Sequence, residues 1–349
     1  MRLFWHLSLG FVRLFALFFK ALFRNGLSNN ELVIDSGTGG WRLLEYQFLF
    51  ESLNERGDLI PVKTIYDGSE PYWRHILSVL KIYRPKQIFI DPRTFANNSK
   101  WNWLISTIIT SALLKAAQVR VIAWMTDYPH RRWRFVAFLL THDRGIVGSL
   151  MSPKAMTKGI YHSNVVGPLP IPVPNGILPR ISVDIGKCKH DIGFVGALYE
   201  PRTTKLDAIS DMLGKKGVSL YLKSRSLSGH RMSDADYFSA LSSCKIILTT
   251  SDQVYDKESD MVVEPHLIFR YLEVLACGRV LVAPRVEGAT FLKPYINYVP
   301  YENEDELLHW VVKLLNEPQL LESIARDGHK VSRELVQNQY FWRTLGVIN

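Results

Sequence analysis

The residues best placed to do chemistry begin with Gly196, which is followed by Arg202 and, one helical turn on, by Lys205. Loop amides and a helix N-terminus attract anions, and a guanidinium grips phosphate through two N–H groups at once. The string therefore suits a phosphate-bearing ligand, and basic residues exposed beside a plain loop are the competing reading. Asp127-Tyr128-Pro129-His130 follows an apolar run. A carboxylate or imidazole there can orient or deprotonate a hydroxyl, and a turn with an Asx-type cap accounts for the same string. Gly37, Gly39 and Gly40 would let a ligand approach the backbone closely, but the string does not satisfy GxGxxG.

Other strings carry less. Asp234-Ala235-Asp236 has the D-x-D form of a metal motif, yet Ser233 precedes it at a helix start, where helix capping explains it better. The ten histidines include no H-x3-H or H-E-x-x-H pair. No metal site and no cofactor are expected. Cys188, Cys244 and Cys277 are odd in number and far apart, which argues against a disulfide framework and for a reducing, cytoplasmic setting.

Strands alternating with helices must position these residues. Leu32–Ile34 leads into the glycine loop, and an amphipathic stretch follows from Trp41 to Arg56. Helix 72–83, strand 87–90, helix 103–117 and strand 119–125 continue the pattern, with short strands near 145–149 and 164–166. Four prolines alternate in 168–175, which makes that stretch extended and stiff. The pattern then restarts at Asp191 and runs to about Arg333. Such alternation implies parallel sheets with helices on both faces, and ligands bind beyond the carboxyl ends of their strands.

Residues 1–24 supply +4 of the formal +9 through Arg2, Arg13, Lys20 and Arg24, with no acid. On a helix these cations and His6 fall within a sector about 40° wide, and nearly everything else is Leu, Phe, Trp, Val or Ala. A narrow cationic stripe on an apolar helix suits an anionic lipid interface. A helix packed on the protein's own core, a true span and a secretory signal compete with that reading. Arg13 opposes a span, and Arg13 with Lys20 interrupts a signal core. The residual charge elsewhere suits an anionic ligand and is weak grounds for nucleic acid, which is not expected as a partner.

The string Phe269-Arg270-Tyr271-Leu272-Glu273-Val274-Leu275-Ala276-Cys277-Gly278 resembles the R-x-F-E-x-x-A-C-G signature of the CgeB-like glycosyltransferases. It is also similar to the E-A-M-A-x-G segment of the broader group 1 (GT4-like) glycosyltransferases. Ile192–Leu198 followed by Arg202, then Tyr237 with Ser243–Leu248, then Glu304–Leu307 and Ile324–Gly328, are similar to further segments of that family in the right order. Over residues 1–170 the likeness is architectural only.

The resemblance implies a GT-B fold: two doubly wound, Rossmann-like parallel-sheet domains facing a cleft, here with an N-terminal amphipathic helix. The expected divisions are a membrane-surface helix at 1–25, an acceptor-side domain at 26–170, a linker at 171–190 and a nucleotide-sugar domain at 191–335. A C-terminal segment at 336–349 could cross back to the first domain. The family likeness assigns Glu273 to the ribose hydroxyls, which a buried carboxylate can accept. It places Gly196, Arg202, Lys205 and Arg270 with the donor and Glu264 at the transferred sugar, while the position of Asp127 and His130 after a strand at the expected cleft edge suits either to the acceptor. Eight residues separate Glu264 from Glu273, where the retaining family has E-x7-E, and Pro265-His266 replaces its Gly-Phe-Gly. The expected activity is transfer of a hexose-type sugar from a nucleotide diphosphate sugar to an acceptor glycan, lipid-linked sugar or protein. Retention of configuration is expected over inversion, on the cytoplasmic face of a membrane, in envelope or surface glycan synthesis. A catalytically degenerate scaffold or coat protein and a sugar-nucleotide epimerase are the alternatives.

Overall fold

The computed structural model describes residues 2–23, 32–37, 49–53, 61–90, 100–125, 145–149, 164–171, 184–200, 202–224, 226–227, 230–250, 265–337 and 339–348. They divide into two compact units. The first takes the described residues up to Ser149 together with Asn164–Val166 and Leu345–Ile348, and the second takes Gly167–Thr344.

In the first unit, β1 (Leu32–Gly37), β2 (Val62–Tyr66), β3 (Gln87–Ile90), β4 (Arg120–Met125), β5 (Ile146–Ser149) and β6 (Val165–Val166) form one parallel sheet in the order β2-β1-β3-β4-β5-β6. Leu32, Val33 and Ile34 are consecutive and all buried, as a strand covered on both faces requires. Among the described residues the helices of this unit include α1 (Arg2–Phe19), α2 (Tyr72–Tyr83) and α3 (Lys100–Ala116), and residues 49–53 are also helical. Tyr72, Ile76, Val79 and Leu80 form the buried stripe of α2, at the spacing of a single helix face. The C-terminal residues are tied into this unit by Arg120 on β4, which donates to the carbonyls of Leu345 (2.7 Å) and Gly346. Leu345 and Val347 are buried there.

Helix α1 packs on α3. Val12 and Ala16, one turn apart, are buried, whereas Phe11, Leu14, Leu17, Phe18, Leu22, Arg13 and Lys20 stay exposed. One face of the helix thus serves the protein's own core and a broad apolar arc does not. No described helix is long and apolar enough to cross a membrane.

The second unit repeats the plan. Strands β7 (His190–Gly196), β8 (Leu220–Ser224), β11 (Cys244–Leu248), β12 (Val280–Pro284) and β13 (Val299–Tyr301) lie parallel in the order β13-β12-β11-β7-β8. A small antiparallel hairpin, β9 (Ser226–Leu227) with β10 (His230–Arg231), stands apart from the sheet. The helices are α4 (Arg202–Gly214), α5 (Asp234–Ser242), α6 (Phe269–Ala276), α7 (Glu304–Asn316), α8 (Pro318–Gln337) and α9 (Tyr340–Thr344). Asn303 caps α7 by accepting from the Glu306 amide (2.9 Å), and Glu304, Asp305 and Glu306 complement the positive end of its dipole. Gly278 takes φ +61 to end α6 and turn the chain into β12. On α8, a Cβ at Gly328 would lie 2.7 Å from a Leu275 methyl and 2.8 Å from the Asn297 carbonyl, so glycine lets α8 lie directly on α6. The stretch from Asp184 to Lys189, read from sequence as part of a linker, belongs to this unit. Ile185 joins its core beside Phe194, Leu206, Ile246 and Val282, because an apolar side chain in a nominal loop still gains by leaving water.

Candidate functional site

In the second sheet the strand order reverses between β7 and β11. The crevice beyond the carboxyl ends of strands at such a reversal is where open α/β sheets bind ligands. Gly196 is the last residue of β7, and a Cβ there would overlap Nη2 of Arg270 and lie 2.8 Å from its Cζ and 3.1 Å from its Nη1. The missing side chain of Gly196 is therefore what admits the Arg270 guanidinium to the strand end. Arg270 stands in the first turn of α6, with its Cζ 4.8 Å from the centroid of the Phe194 ring. Its Nε and Nη1 are shielded from solvent and have no hydrogen-bond partner among the described residues. Shielded guanidinium N–H groups are costly to leave unmatched, and an anion placed there would supply the acceptors.

Arg202 approaches the same ring from α4, with its Cζ 5.7 Å from the Phe194 centroid and 4.4 Å from that of Tyr199. Its Nη1 donates to the Ala197 carbonyl (2.9 Å) and its Nε to Thr250 Oγ1 (3.1 Å) just past β11. Two guanidinium groups close to one phenyl ring repel each other, and an anion bound between them would offset that repulsion. Lys205, three residues along α4, lies with its Nζ 5.8 Å from the Tyr301 ring. The Tyr301 hydroxyl donates to the Thr249 carbonyl (2.9 Å), and the Thr249 amide donates to Val282 (2.9 Å), which fixes the end of β11. Buried Thr249 Oγ1 has no partner among the described residues.

One turn beyond Arg270, Glu273 is only 2% exposed, and its Oε2 accepts from the Tyr237 hydroxyl at 2.6 Å. Tyr237 comes from α5, so two residues from separate stretches of the family likeness meet here. No described residue donates to the other oxygen, Oε1. Cys277, a turn further on, has its thiol pushed up to about 12, first by burial and then by the charge of Glu273, although a Ser242 contact pulls the other way. It is thus no candidate nucleophile at neutral pH.

Gly196 and Arg270 accordingly meet at the end of β7, where Arg202 shares the Phe194 ring, while Lys205 lies by Tyr301 of β13 and Glu273 sits one turn along α6 from Arg270. Asp127, His130 and Glu264 lie outside the described residues, as do Gly39 and Gly40. Asp234 and Asp236 open α5, where Ser233 Oγ accepts from the Asp236 amide (3.1 Å) and donates to its carboxylate (2.6 Å), as a cap does. No group of three or more His, Cys, Asp and Glu able to hold a metal occurs among the described residues. Sequence reading missed the contributions of Phe194, Thr249, Thr250 and Tyr301. The Thr249-Thr250 pair at the end of an apolar strand was the available signal.

Comparison with known proteins adds to this geometry. Residues 211–345 match the family described as glycosyl transferase-like. No curated protein matches the sequence. Among solved structures, Anabaena Alr3699/HepE in complex with UDP and glucose aligns over 92% of this chain and 100% of its own, at 12% identity and a TM-score of 0.60. An alpha-glucosyltransferase in complex with UDP-glucose and DNA containing an abasic site covers 90% of this chain and 99% of its own, at 10% identity and 0.57. Sucrose-phosphate synthase from Thermosynechococcus elongatus covers 91% and 99%, also at 10% and 0.57. At these identities the likeness is one of fold. The chain has the GT-B fold of two parallel-sheet α/β domains, and its residues 211–345 match the glycosyl transferase-like family.

Proposed function

We propose that the protein is a glycosyltransferase whose second unit binds a nucleotide diphosphate sugar. The observation that carries this reading is the Arg270 guanidinium, shielded at the strand reversal against Gly196 with two of its nitrogens unmatched among the described residues. Arg270, Arg202 and Lys205 would meet the diphosphate, which gains negative charge as the glycosidic bond breaks, so cations do the work otherwise given to a metal. Glu273 would accept from the ribose hydroxyls through Oε1 while Tyr237 holds Oε2. Glu264 at the sugar and Asp127 or His130 at the acceptor keep the roles expected of them. The family match and the UDP and UDP-glucose complexes of proteins with this fold support the donor class. The closer CgeB-like placement rests on the string at 269–278. The experiment is a thermal-shift screen against nucleoside diphosphates and their sugars. A ligand that binds only the native state must raise the melting temperature. A flat response across the panel would leave a GT-B scaffold without a donor.

The acceptor side belongs, in this proposal, at the cytoplasmic face of a membrane, in envelope or surface glycan synthesis. Support comes from α1, on which Leu17 and Phe18 are 70% and 76% exposed with Arg13 and Lys20 beside them, although the opposite face is already packed on α3. Apolar side chains that leave water for a lipid interface each contribute about 1.5–3 kcal/mol, and nearby cations add attraction to anionic headgroups. The protein is expected to sediment with vesicles containing phosphatidylglycerol more than with pure phosphatidylcholine, and less as salt rises. The double variant Leu17→Glu, Phe18→Glu should lower that partition by at least about tenfold. Equal sedimentation of variant and parent would remove α1 as the anchor.

A further inference from the structure

Four non-glycine residues among those described have a positive φ. Arg84, Gln118 and Gln339 follow the ends of α2, α3 and α8, where a left-handed residue closes a helix. Tyr295, at φ +61, ends no helix. It opens the turn between Pro294 and Tyr298 that leads into β13, a place where glycine, asparagine or aspartate is the usual choice. A bulky ring there costs backbone strain.

The turn is built to hold that residue still. The Tyr295 amide donates to the Tyr298 carbonyl (2.8 Å), and the Ile296 and Asn297 amides both donate to that of Lys293 (3.1 Å). The Asn297 side chain, buried, accepts from the Lys293 amide (2.8 Å) and donates to the Phe291 carbonyl (2.8 Å). The Tyr295 ring stacks on that of Trp310 from α7, with centroids 4.5 Å apart and planes at 24°. Yet Tyr295 stays 43% exposed and Ile296 53%. The strain therefore does not serve the core. It sets an aromatic pair at the surface.

Charged groups of both signs stand beside the pair. The Tyr295 hydroxyl lies 3.4 Å from Glu306 Oε1, and Glu306 Oε2 accepts from the Glu302 amide (2.9 Å). Lys313 Nζ lies 4.7 Å from the centroid of the Trp310 ring. Desolvation, Glu306 and Glu302 push the Tyr295 hydroxyl up and Arg285 pulls the other way, so all three charges are felt there. This mixture argues against other partners. Carboxylates beside the rings repel anionic headgroups and nucleic-acid phosphates, and Tyr295 with Ile296 is too small an apolar patch for a stable protein interface. A neutral sugar fits better. The C–H groups on one face of a pyranose ring pack on the negative face of an aromatic ring. Its hydroxyls donate to carboxylates and accept from ammonium and guanidinium groups.

We propose that Tyr295 and Trp310 form an auxiliary binding site for a neutral oligosaccharide on the outer edge of the second unit. Strand β13 is the sheet's edge, and β12 stands between it and the reversal where the donor is placed. The inference rests on the transferase reading for its class of ligand, an acceptor or product chain. No bond is made or broken at this site. It holds the chain and so raises its local concentration.

The test is saturation-transfer NMR on the full chain with maltohexaose, cellohexaose, laminarihexaose and N-acetylchitohexaose. At least one should receive saturation, strongest at its axial ring protons, and titration then gives an affinity. Tyr295→Gly should lower that affinity by at least about tenfold, the scale of one lost aromatic contact. Glycine takes a positive φ without strain, so the melting temperature of this variant should not fall. Tyr295→Phe, which keeps the ring, should bind like the parent. Parental affinity in Tyr295→Gly would overturn the assignment, and a fall in its melting temperature would make the ring a structural prop instead. A silent panel would also overturn it, as would a parental dimer that Tyr295→Gly dissolves, which would give the patch to a second copy. The nucleotide-sugar screen decides the transferase reading separately: a protein that binds donor and none of the four oligosaccharides sinks this site alone.

Discussion

Arg270→Met should weaken binding of a nucleoside diphosphate sugar by about 100- to 1000-fold, since charge-assisted hydrogen bonds to a guanidinium contribute about 1.5–3 kcal/mol each. Stability is expected to move the other way or not at all. The Nε and Nη1 groups are shielded without partners among the described residues, and replacing a poorly matched, partly buried cation by an apolar chain of similar length is often neutral or stabilising. Calorimetric titration and a melting curve on the same samples separate the two effects. Gly196→Val reaches the same end from the neighbouring strand. Its Cβ would take the space of the Arg270 guanidinium, while a β-branched residue is otherwise at home in a strand. Lost affinity with a preserved melting temperature in both variants would tie the effect to the position of one guanidinium. Parental affinity in either would detach Arg270 from the site.

Glu273 should show a different pattern. Glu273→Gln keeps an oxygen for the Tyr237 hydroxyl but surrenders the charge. Losing a charged acceptor for the ribose hydroxyls should cost about 10- to 100-fold in affinity. Glu273→Ala adds a structural penalty of about 1–3 kcal/mol, because it removes the acceptor of the hydrogen bond that the buried Tyr237 hydroxyl donates at 2.6 Å. Adding Tyr237→Phe to Glu273→Ala should recover much of that stability and none of the affinity. The two substitutions touch one hydrogen bond, so their effects on stability should not add. Additive losses measured by chemical denaturation would mean that the pair is not coupled as described.

In the first unit, His75 Nε2 pairs with the buried Asp35 carboxylate (2.6 Å), and this pair predicts a pH trend in stability. A histidine raised in the folded state contributes stability that is fully present below its unfolded value of about 6.5 and is lost as pH rises through the folded value. Denaturant midpoints of the parent and His75→Gln should therefore converge as pH rises through this range.

Much of the framework was legible because local pattern and final environment agree. Runs such as Val280–Ala283 and Ile246–Leu248 have little polar character and became inner strands buried on both faces. The Tyr72–Tyr83 helix declared its buried face through its spacing. The basic string at Arg202 and Lys205 was visible for the same reason, since a helix start beside a glycine is a local feature. What escaped was long-range. Arg270 looked like one member of a signature until the fold set it against Gly196, and only then did the missing Cβ acquire a purpose. His75 and Asp35 are 40 positions apart, with no spacing rule to connect them. Helix α1 posed a choice between lipid and protein core, and its apolar arc was too wide for periodicity to decide. In the fold, Val12 and Ala16 take the core side and Phe11, Leu14, Leu17 and Phe18 remain outside. The loop near Ile185 hid its packing because one apolar residue among polar neighbours has no period to detect.

The most direct measurement is a crystal structure of the protein with the best nucleotide sugar from the screen. It should place diphosphate oxygens within hydrogen-bond distance of Arg270 Nε or Nη1, at the end of the strand that closes on Gly196, and the ribose hydroxyls on Glu273 Oε1. A nucleotide seated elsewhere, with the Arg270 nitrogens still unmatched, would contradict the account.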